Sequence, residues 1–142
     1  MGLMDAESVE HGVPSAHPII TPASCPIPSG PQGQPNLHGP AIIRIRRGTR
    51  AWEAYGRDEV SEQYFCNYEV NPAYREELEA AGLVLSGWSE QGDIRMVELP
   101  GHPFFLATLF QPQLTSQAGN PHPLLTAFVR ASSRKNCAAA GA

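Results

Sequence analysis

Residues 104–113 read Phe104-Phe105-Leu106-Ala107-Thr108-Leu109-Phe110-Gln111-Pro112-Gln113. The first part of this stretch is almost entirely apolar, which predicts a strand over 104–110 that is buried on both faces, as in a mainly parallel sheet. In open α/β sheets, functional groups commonly lie where such strands end. Gln111 and Gln113 occupy that place. Because a carboxamide has no basic site near neutral pH, neither glutamine is predicted to deprotonate a nucleophile.

Two helices are predicted on either side of this stretch. Asn71 is a good N-cap and Gly82 is a good left-handed C-terminal residue, so a helix is expected over 72–81. After the two glutamines, a polar loop leads into a terminal helix over 121–133, which carries an apolar stripe.

The remaining regular structure is predicted to be β. Isoleucines alternate with arginines over 42–46, which indicates a short strand with one solvated face. The segment 64–70 is the next predicted strand. Residues 83–88 and 94–98 flank a turn that contains Gly92, and they predict a hairpin.

Composition divides the chain into consecutive segments. Eight of its fourteen prolines precede residue 41, and proline and glycine both disfavour regular structure, which predicts an irregular loop. The expected organisation is the start of a domain fragment over 1–21, a Pro/Gly-rich loop over 22–40, the main body over 41–134 and a flexible tail over 135–142.

Several stretches of the chain carry a resemblance to one family. In order along the sequence, they are 2–8 with 17–20, 48–56, 68–75, 101–105 and 122–125. They resemble the C-terminal half of the glutamine amidotransferase domain of CTP synthases. The resemblance implies the second half of a class I glutamine amidotransferase-like α/β fold, with an open, mostly parallel sheet, flanking helices and an antiparallel hairpin portion.

The resemblance also implies where the family's catalytic groups would lie. In that family the frame around Gln111 reads Phe-His-Pro-Glu; the histidine activates a cysteine and the glutamate, here Gln113, orients the histidine. The family's cysteine lies on a Gly-x-Cys-x-Gly elbow, and none of Cys25, Cys66 and Cys137 is flanked by glycines. We expect the elbow to lie upstream of the first residue. The chain is therefore predicted to lack glutaminase activity.

The family's clamp for the carboxylate of glutamine is also altered. A basic run in the family corresponds to residues 63–67, which contain no cation here. One interpretation is a remodelled pocket in which Tyr64, Asn67, Gln111 and Gln113 bind a small molecule through hydrogen bonds. The other interpretation is a decayed site whose amides only satisfy nearby backbone groups.

Three functions follow from these observations. The first is a non-catalytic amidotransferase-like domain, kept as a binding or regulatory module or as a fragment. The second is an enzyme in which Cys66 or Cys25 acts in a reshaped pocket on a substrate other than glutamine, although a buried cysteine is commonly inert. The third is one part of a split amidotransferase. The sequence favours the non-enzymatic interpretation.

Composition restricts the ligands and partners. A formal net charge of −4 without a basic cluster argues against nucleic-acid binding. No apolar run approaches the ~18 residues of a membrane span, so a cytoplasmic protein is expected. The histidines lack metal-ligand spacing, His102 and His122 are expected to be structural, and no cofactor or metal is predicted. The expected partners are a second copy of the chain or a partner chain that supplies the missing half-domain.

Overall fold

The computed structural model describes residues 2–23 and 37–139, with the side chains described as far as residue 133. The described strands form two sheets. The three-stranded sheet has the order β1-β2-β5 and comprises β1 (Ala6–Ser8), β2 (His17–Pro22) and β5 (Tyr68–Val70). The five-stranded sheet has the order β4-β3-β6-β7-β8 and comprises β3 (Leu37–Ile45), β4 (Glu59–Cys66), β6 (Val84–Ser89), β7 (Ile94–Glu98) and β8 (Leu106–Thr108).

Three α-helices accompany the sheets: α1 (Arg50–Tyr55), α2 (Arg75–Ala80) and α3 (Pro123–Ala139). Single 3₁₀ turns cover Val9–His11, Pro72–Tyr74 and Pro112–Leu114. The predicted α/β class and its antiparallel hairpin portion are confirmed.

The strand directions correct the expectation of a mostly parallel sheet. Among the described residues, β1 and β2 pair in parallel, whereas every pairing within the five-stranded sheet is antiparallel. Tight turns can join antiparallel strands, but parallel strands need a long crossover. The turn between β6 and β7, in which Gly92 has a φ of 93°, is such a short connection.

The strand predicted over 104–110 is also corrected. Only Leu106–Thr108 is a strand, and it is the last strand in the order of the five-stranded sheet. Beyond it the backbone N–H of Gln111 donates to the carbonyl of Gln63 at 3.0 Å, so the chain leaves β7 and turns towards β4. Phe105 is 40% exposed, while Phe110 is buried. The apolar run therefore reflects several separate contacts rather than one strand buried on both faces.

The helix predicted over 72–81 is confirmed, but it consists of a 3₁₀ turn, Pro72–Tyr74, followed by α2, Arg75–Ala80. The side chain of Asn71 accepts a hydrogen bond from the backbone N–H of Ala73 at 3.1 Å and starts a 3₁₀ turn, which leads into α2. Gly82 follows with a φ of 89°, as expected of a left-handed terminating residue. The predicted hairpin over 83–88 and 94–98 is confirmed as β6 and β7.

The single strand predicted over 64–70 is two strands. β4 ends at Cys66 in one sheet, and β5 begins at Tyr68 in the other. Asn67 lies between them, and its carbonyl accepts a hydrogen bond from the backbone N–H of Ala23 at 2.8 Å. The chain therefore passes from one sheet to the other at this point.

The boundaries of the loop and tail also differ from the prediction. Residues 24–36 lie outside the described residues, but Pro22 belongs to β2 and residues 37–40 belong to β3. Pro40 is tolerated there because the stretch of β3 around it pairs with β4 on one side, while the pairing with β6 begins at Ile43. At the other end, residues 135–139 continue α3.

The core lies on the five-stranded sheet and under the helices. Ile43, Met96, Phe110 and Leu124 are members of its main cluster. Gly87 lies within this region, where an added Cβ would come within 2.3 Å of the Met96 Cε. Tyr64 of β4 and Phe110, which follows β8, both belong to this core cluster. The core therefore holds these two segments together, and the candidate site lies between them.

Candidate functional site

Gln111 bridges two strands of the five-stranded sheet. Its Oε1 accepts a hydrogen bond from the backbone N–H of Phe65 at 2.8 Å, and its Nε2 donates to the carbonyl of Phe65 at 3.3 Å. Nε2 also lies 3.4 Å from the carbonyl of Leu109. The carboxamide thus binds the backbone of β4 as a neighbouring strand would, and it fastens the end of β8 to β4.

This geometry determines what Gln111 can do chemically. A primary amide has two N–H donors and one carbonyl acceptor, and all three have a backbone partner here. An imidazole has one donor and one acceptor when it is neutral, so it cannot reproduce the set. The structure therefore favours, for Gln111, the interpretation in which the amide satisfies backbone groups.

Gln113 does not join this arrangement. It lies in the 3₁₀ turn Pro112–Leu114 and is exposed. Among the described residues, its side chain has no hydrogen bond. The structure therefore does not place Gln113 as a residue that orients Gln111.

The residues of β4 alternate between the core and the surface, and Tyr64 is the predicted ligand-binding residue among them. Tyr64 is 2% exposed, and its ring packs edge-on against Phe110 at 6.1 Å between centroids. Burial raises the pKa of the Tyr64 phenol. Phe65, on the other face, is 62% exposed. Tyr64 lines a cavity of about 330 Å³ together with Arg95. The structure therefore turns Tyr64 towards the core, whereas Gln111 binds the backbone of the exposed Phe65.

Cys66 lies at the end of β4 and is partly buried. Its Sγ donates a hydrogen bond to the carbonyl of Tyr68 at 3.2 Å. This bond requires the protonated thiol, whereas a nucleophile needs the thiolate. Cys25, the alternative nucleophile, lies outside the described residues.

A buried ion network between the two sheets was not predicted from the sequence. Arg95 of β7 donates to the Glu69 carboxylate of β5 at 2.8 Å and to Asp93 at 2.9 Å. Arg95 and Glu69 are both almost fully buried. An arginine between Ile94 and Met96 in an apolar strand was the available signal, because arginine is rarely buried without a partner.

A second buried network contains one of the histidines expected to be structural. His122 Nε2 lies 3.0 Å from Glu62 Oε1, and the Tyr55 hydroxyl donates to the same oxygen at 2.5 Å. The backbone N–H of Leu124 donates to His122 Nδ1 at 3.2 Å, which leaves the proton of a neutral imidazole on Nε2. Burial, followed by the contact with Glu62, raises the pKa of Tyr55. The other Glu62 oxygen is buried without a partner among the described residues.

The described residues contain neither a membrane-spanning helix nor a cluster of metal ligands. Within 2–23 and 37–139, no helix is long and apolar enough to cross a membrane. The described part of the chain also has no group of three or more His, Cys, Asp or Glu side chains placed to hold a metal ion.

Comparison with known proteins places these features in a family context. No protein-family model matches the chain. It is 39% identical over 136 residues to the CTP synthase of Aeropyrum pernix, covering 94% of this chain and 25% of that protein. It is 42% identical over 133 residues to the CTP synthase of Rubrobacter xylanophilus, covering 92% and 24%. The chain thus spans about a quarter of the length of these relatives.

The fold comparison agrees with the sequence comparison. The structure is similar to the glutaminase domain of the Trypanosoma brucei CTP synthase, which was solved with bound acivicin. The TM-score is 0.80 at 29% identity, and the match covers 92% of this chain and 51% of that chain. The similarity therefore extends over nearly all of this chain and about half of the solved domain.

Proposed function

Because the chain belongs to the glutamine amidotransferase domains of the CTP synthase type, we propose that it is a non-catalytic member of that group. It acts as a binding or regulatory module and does not hydrolyse glutamine. The observation that supports this most directly is the position of Gln111. Its carboxamide stands where the resemblance puts the family's histidine, and its donors and acceptor are engaged by backbone groups.

The chemistry of amide hydrolysis explains why this observation matters. A thiol nucleophile needs a base within hydrogen-bond reach and a third group that orients the base. Gln111 cannot accept a proton near neutral pH, and the exposed Gln113 does not contact it. The Cys66 Sγ donates a hydrogen bond to a backbone carbonyl and, among the described residues, contacts no base. Neither Gln111 nor Gln113 can therefore deprotonate a cysteine to form the thiolate.

Ammonia release from glutamine tests the proposal. We expect the purified chain to release no ammonia above the buffer background. We expect the double variant Gln111→His and Gln113→Glu to remain inactive, since none of Cys25, Cys66 and Cys137 lies on a Gly-x-Cys-x-Gly elbow. Circular dichroism would confirm that both proteins are folded. Ammonia release that co-elutes with the chain would contradict the proposal, and its loss in Cys66→Ser would identify Cys66 as the nucleophile.

We also propose a partner for the domain. An apolar cleft of about 280 Å³ lies between the two sheets and is lined by Ile19, Ile20, Val97 and Leu109, among others. These four residues are only partly buried, so part of their apolar surface is open to solvent, and contiguous apolar surface commonly marks an interaction site. Since the solved glutaminase domain is about twice as long as the matched segment, the proposed occupant is the complementary half of an amidotransferase-like domain.

Light scattering and dye binding test the assembly. Without its complementary half, the chain should self-associate or bind a hydrophobic dye, and co-expression with an amidotransferase N-terminal half should suppress both. Substitution of Ile20 and Val97 by serine should weaken that co-assembly, whereas Ile42→Ser, outside the cleft, should not. A monodisperse monomer that unfolds cooperatively and binds no dye would contradict this proposal without affecting the glutaminase prediction.

A further inference from the structure

A polar pocket lies between α1 and α3, apart from Gln111 and its partners. It has a volume of about 540 Å³, and its lining includes Arg50 and Glu53 of α1, Phe104, and Thr126 and Arg130 of α3. Small-molecule sites typically enclose about 300–1,000 Å³ and combine apolar walls with a few polar groups. The size and the lining of this pocket fit that description.

Arg50 is held in place at the wall of the pocket. Its Nη2 donates to the carbonyl of His102 at 3.2 Å, and its guanidinium carbon lies 5.1 Å from the centroid of the Phe104 ring. Phe104 in turn packs edge-on against Phe128 at 5.6 Å. The Nη1 atom is buried and has no hydrogen-bond partner among the described residues. A cationic donor is thus fixed in position but not satisfied.

Arg130 supplies a second cation. It lies four residues after Thr126 on α3, so the two side chains project from the same face of the helix. Arg130 is exposed. Within the described part of the chain, neither the Arg50 nor the Arg130 guanidinium forms an ion pair, although Glu53 also lines the pocket and the Glu98 carboxylate accepts a hydrogen bond from the Arg50 backbone N–H at 2.9 Å. The positive end of the α3 dipole lies nearby, because Pro123, its first residue, lines the same pocket.

We propose that this pocket binds the oxyanion group of a small molecule, either a carboxylate or a phosphate monoester, between Arg50 and Arg130. A guanidinium presents its donors as a planar fork that matches two oxygens of such a group. Among the side chains that line the pocket, two arginines are opposed by Glu53, and the single excess positive charge suits one oxyanion rather than a polyphosphate. The overall net charge of −4 would otherwise repel anions, so binding would be local to the pocket.

Titration with inorganic phosphate and with acetate, at low ionic strength and with chloride as the ionic-strength control, tests the site. Binding should be saturable and should shift the arginine side-chain N–H resonances of the labelled chain. Tighter phosphate binding would identify a phosphate monoester as the ligand group, and tighter acetate binding would identify a carboxylate.

Variants separate the pocket from bulk charge. Arg130→Gln should weaken the binding about tenfold or more, as expected for loss of one charge-assisted hydrogen bond. Arg50→Lys should also weaken it, because lysine keeps the charge but not the fork. Arg46→Gln removes one exposed charge outside the pocket and should leave the affinity unchanged. Absence of saturable binding of both anions, or equal weakening by Arg46→Gln and Arg130→Gln, would overturn the proposal.

Discussion

Two polar arrangements lie three residues apart on β4 and satisfy their hydrogen bonds in different ways. At Phe65, the neutral side chain of Gln111 binds exposed backbone groups. At Glu62, a buried carboxylate accepts hydrogen bonds from the side chains of Tyr55 and His122. An amide near the surface can exchange its partners for water, whereas a buried carboxylate depends on donors from the protein. The Glu62 cluster should therefore contribute more to stability than the Gln111 bridge.

The largest expected effect is on the buried cluster. His122→Leu should lower the free energy of unfolding by about 3–5 kcal/mol, because Glu62 loses a donor in a buried site and the backbone N–H of Leu124 loses its acceptor. Urea unfolding followed by circular dichroism measures this. His102→Leu is the matched control, since His102 is exposed and accepts one hydrogen bond from the backbone of Phe104.

A double variant sharpens this test. Glu62→Leu combined with His122→Leu removes both partners, so it should be less destabilising than the sum of the two single substitutions. Additive effects, or equal effects of His122→Leu and His102→Leu, would show that the cluster carries no coupled stabilisation.

An intermediate effect is expected at the bridge between β4 and β8. Gln111→Ala leaves the N–H and carbonyl of Phe65 without this partner and should cost about 1–2 kcal/mol, because Phe65 is exposed enough for water to replace part of the loss. Gln111→His should cost nearly as much, since an imidazole cannot satisfy both groups in the same way.

The same denaturation experiment, with Gln113→Ala as control, provides the measurement. Gln113 is exposed, so its substitution should change stability by no more than about 0.5 kcal/mol. If Gln111→His raised the free energy of unfolding or left it unchanged, the hydrogen bonds from Gln111 to Phe65 would not contribute to stability.

A smaller effect is expected at Cys66, next to the bridge. Its thiol donates to a backbone carbonyl and is partly buried, so alkylation should be slower than that of a cysteine in an unstructured peptide at the same pH. Residue-resolved mass spectrometry of iodoacetamide labelling measures the rate, and urea should abolish the difference. A rate above that of the peptide would favour the alternative in which Cys66 is a nucleophile.

Much of the local structure could be predicted because it depends on neighbouring residues. Asn71 and Gly82 bounded a helix, and Gly92 marked a hairpin turn. The strand over 104–110 was misassigned because its apolar residues serve different tertiary contacts. The extent of the strand around Phe105 depends on where Gln111 contacts β4. The residues next to Phe105 do not encode that tertiary contact.

The candidate site was predictable in part for a related reason. The loss of basic chemistry at Gln111 follows from the residue type alone. Its bonds to Phe65 join residues 46 positions apart, as does the approach of Glu62 to His122 over 60 positions. Such pairings arise from strand order and register, which a local pattern cannot specify. The pocket between Arg50 and Arg130 could not be predicted for the same reason, because its two arginines lie far apart in the sequence.

The smallest expected effect concerns an exposed ion pair, in contrast to the buried Glu62 cluster. Arg47 and the Trp52 indole both donate to the Asp58 carboxylate, and these contacts lower the pKa of Asp58 to about 2. Because the pKa is lower in the folded protein than in the unfolded chain, the pair stabilises the fold above about pH 4, and this contribution disappears as the pH falls through about 2. Solvent screening keeps the contribution small. A carboxyl NMR titration should show the lowered pKa, and Arg47→Gln should raise it towards its ordinary value with little change in unfolding. An unchanged Asp58 pKa in that variant would exclude the pair as the cause, and a loss of stability as large as that of His122→Leu would contradict the ranking of exposed below buried charges.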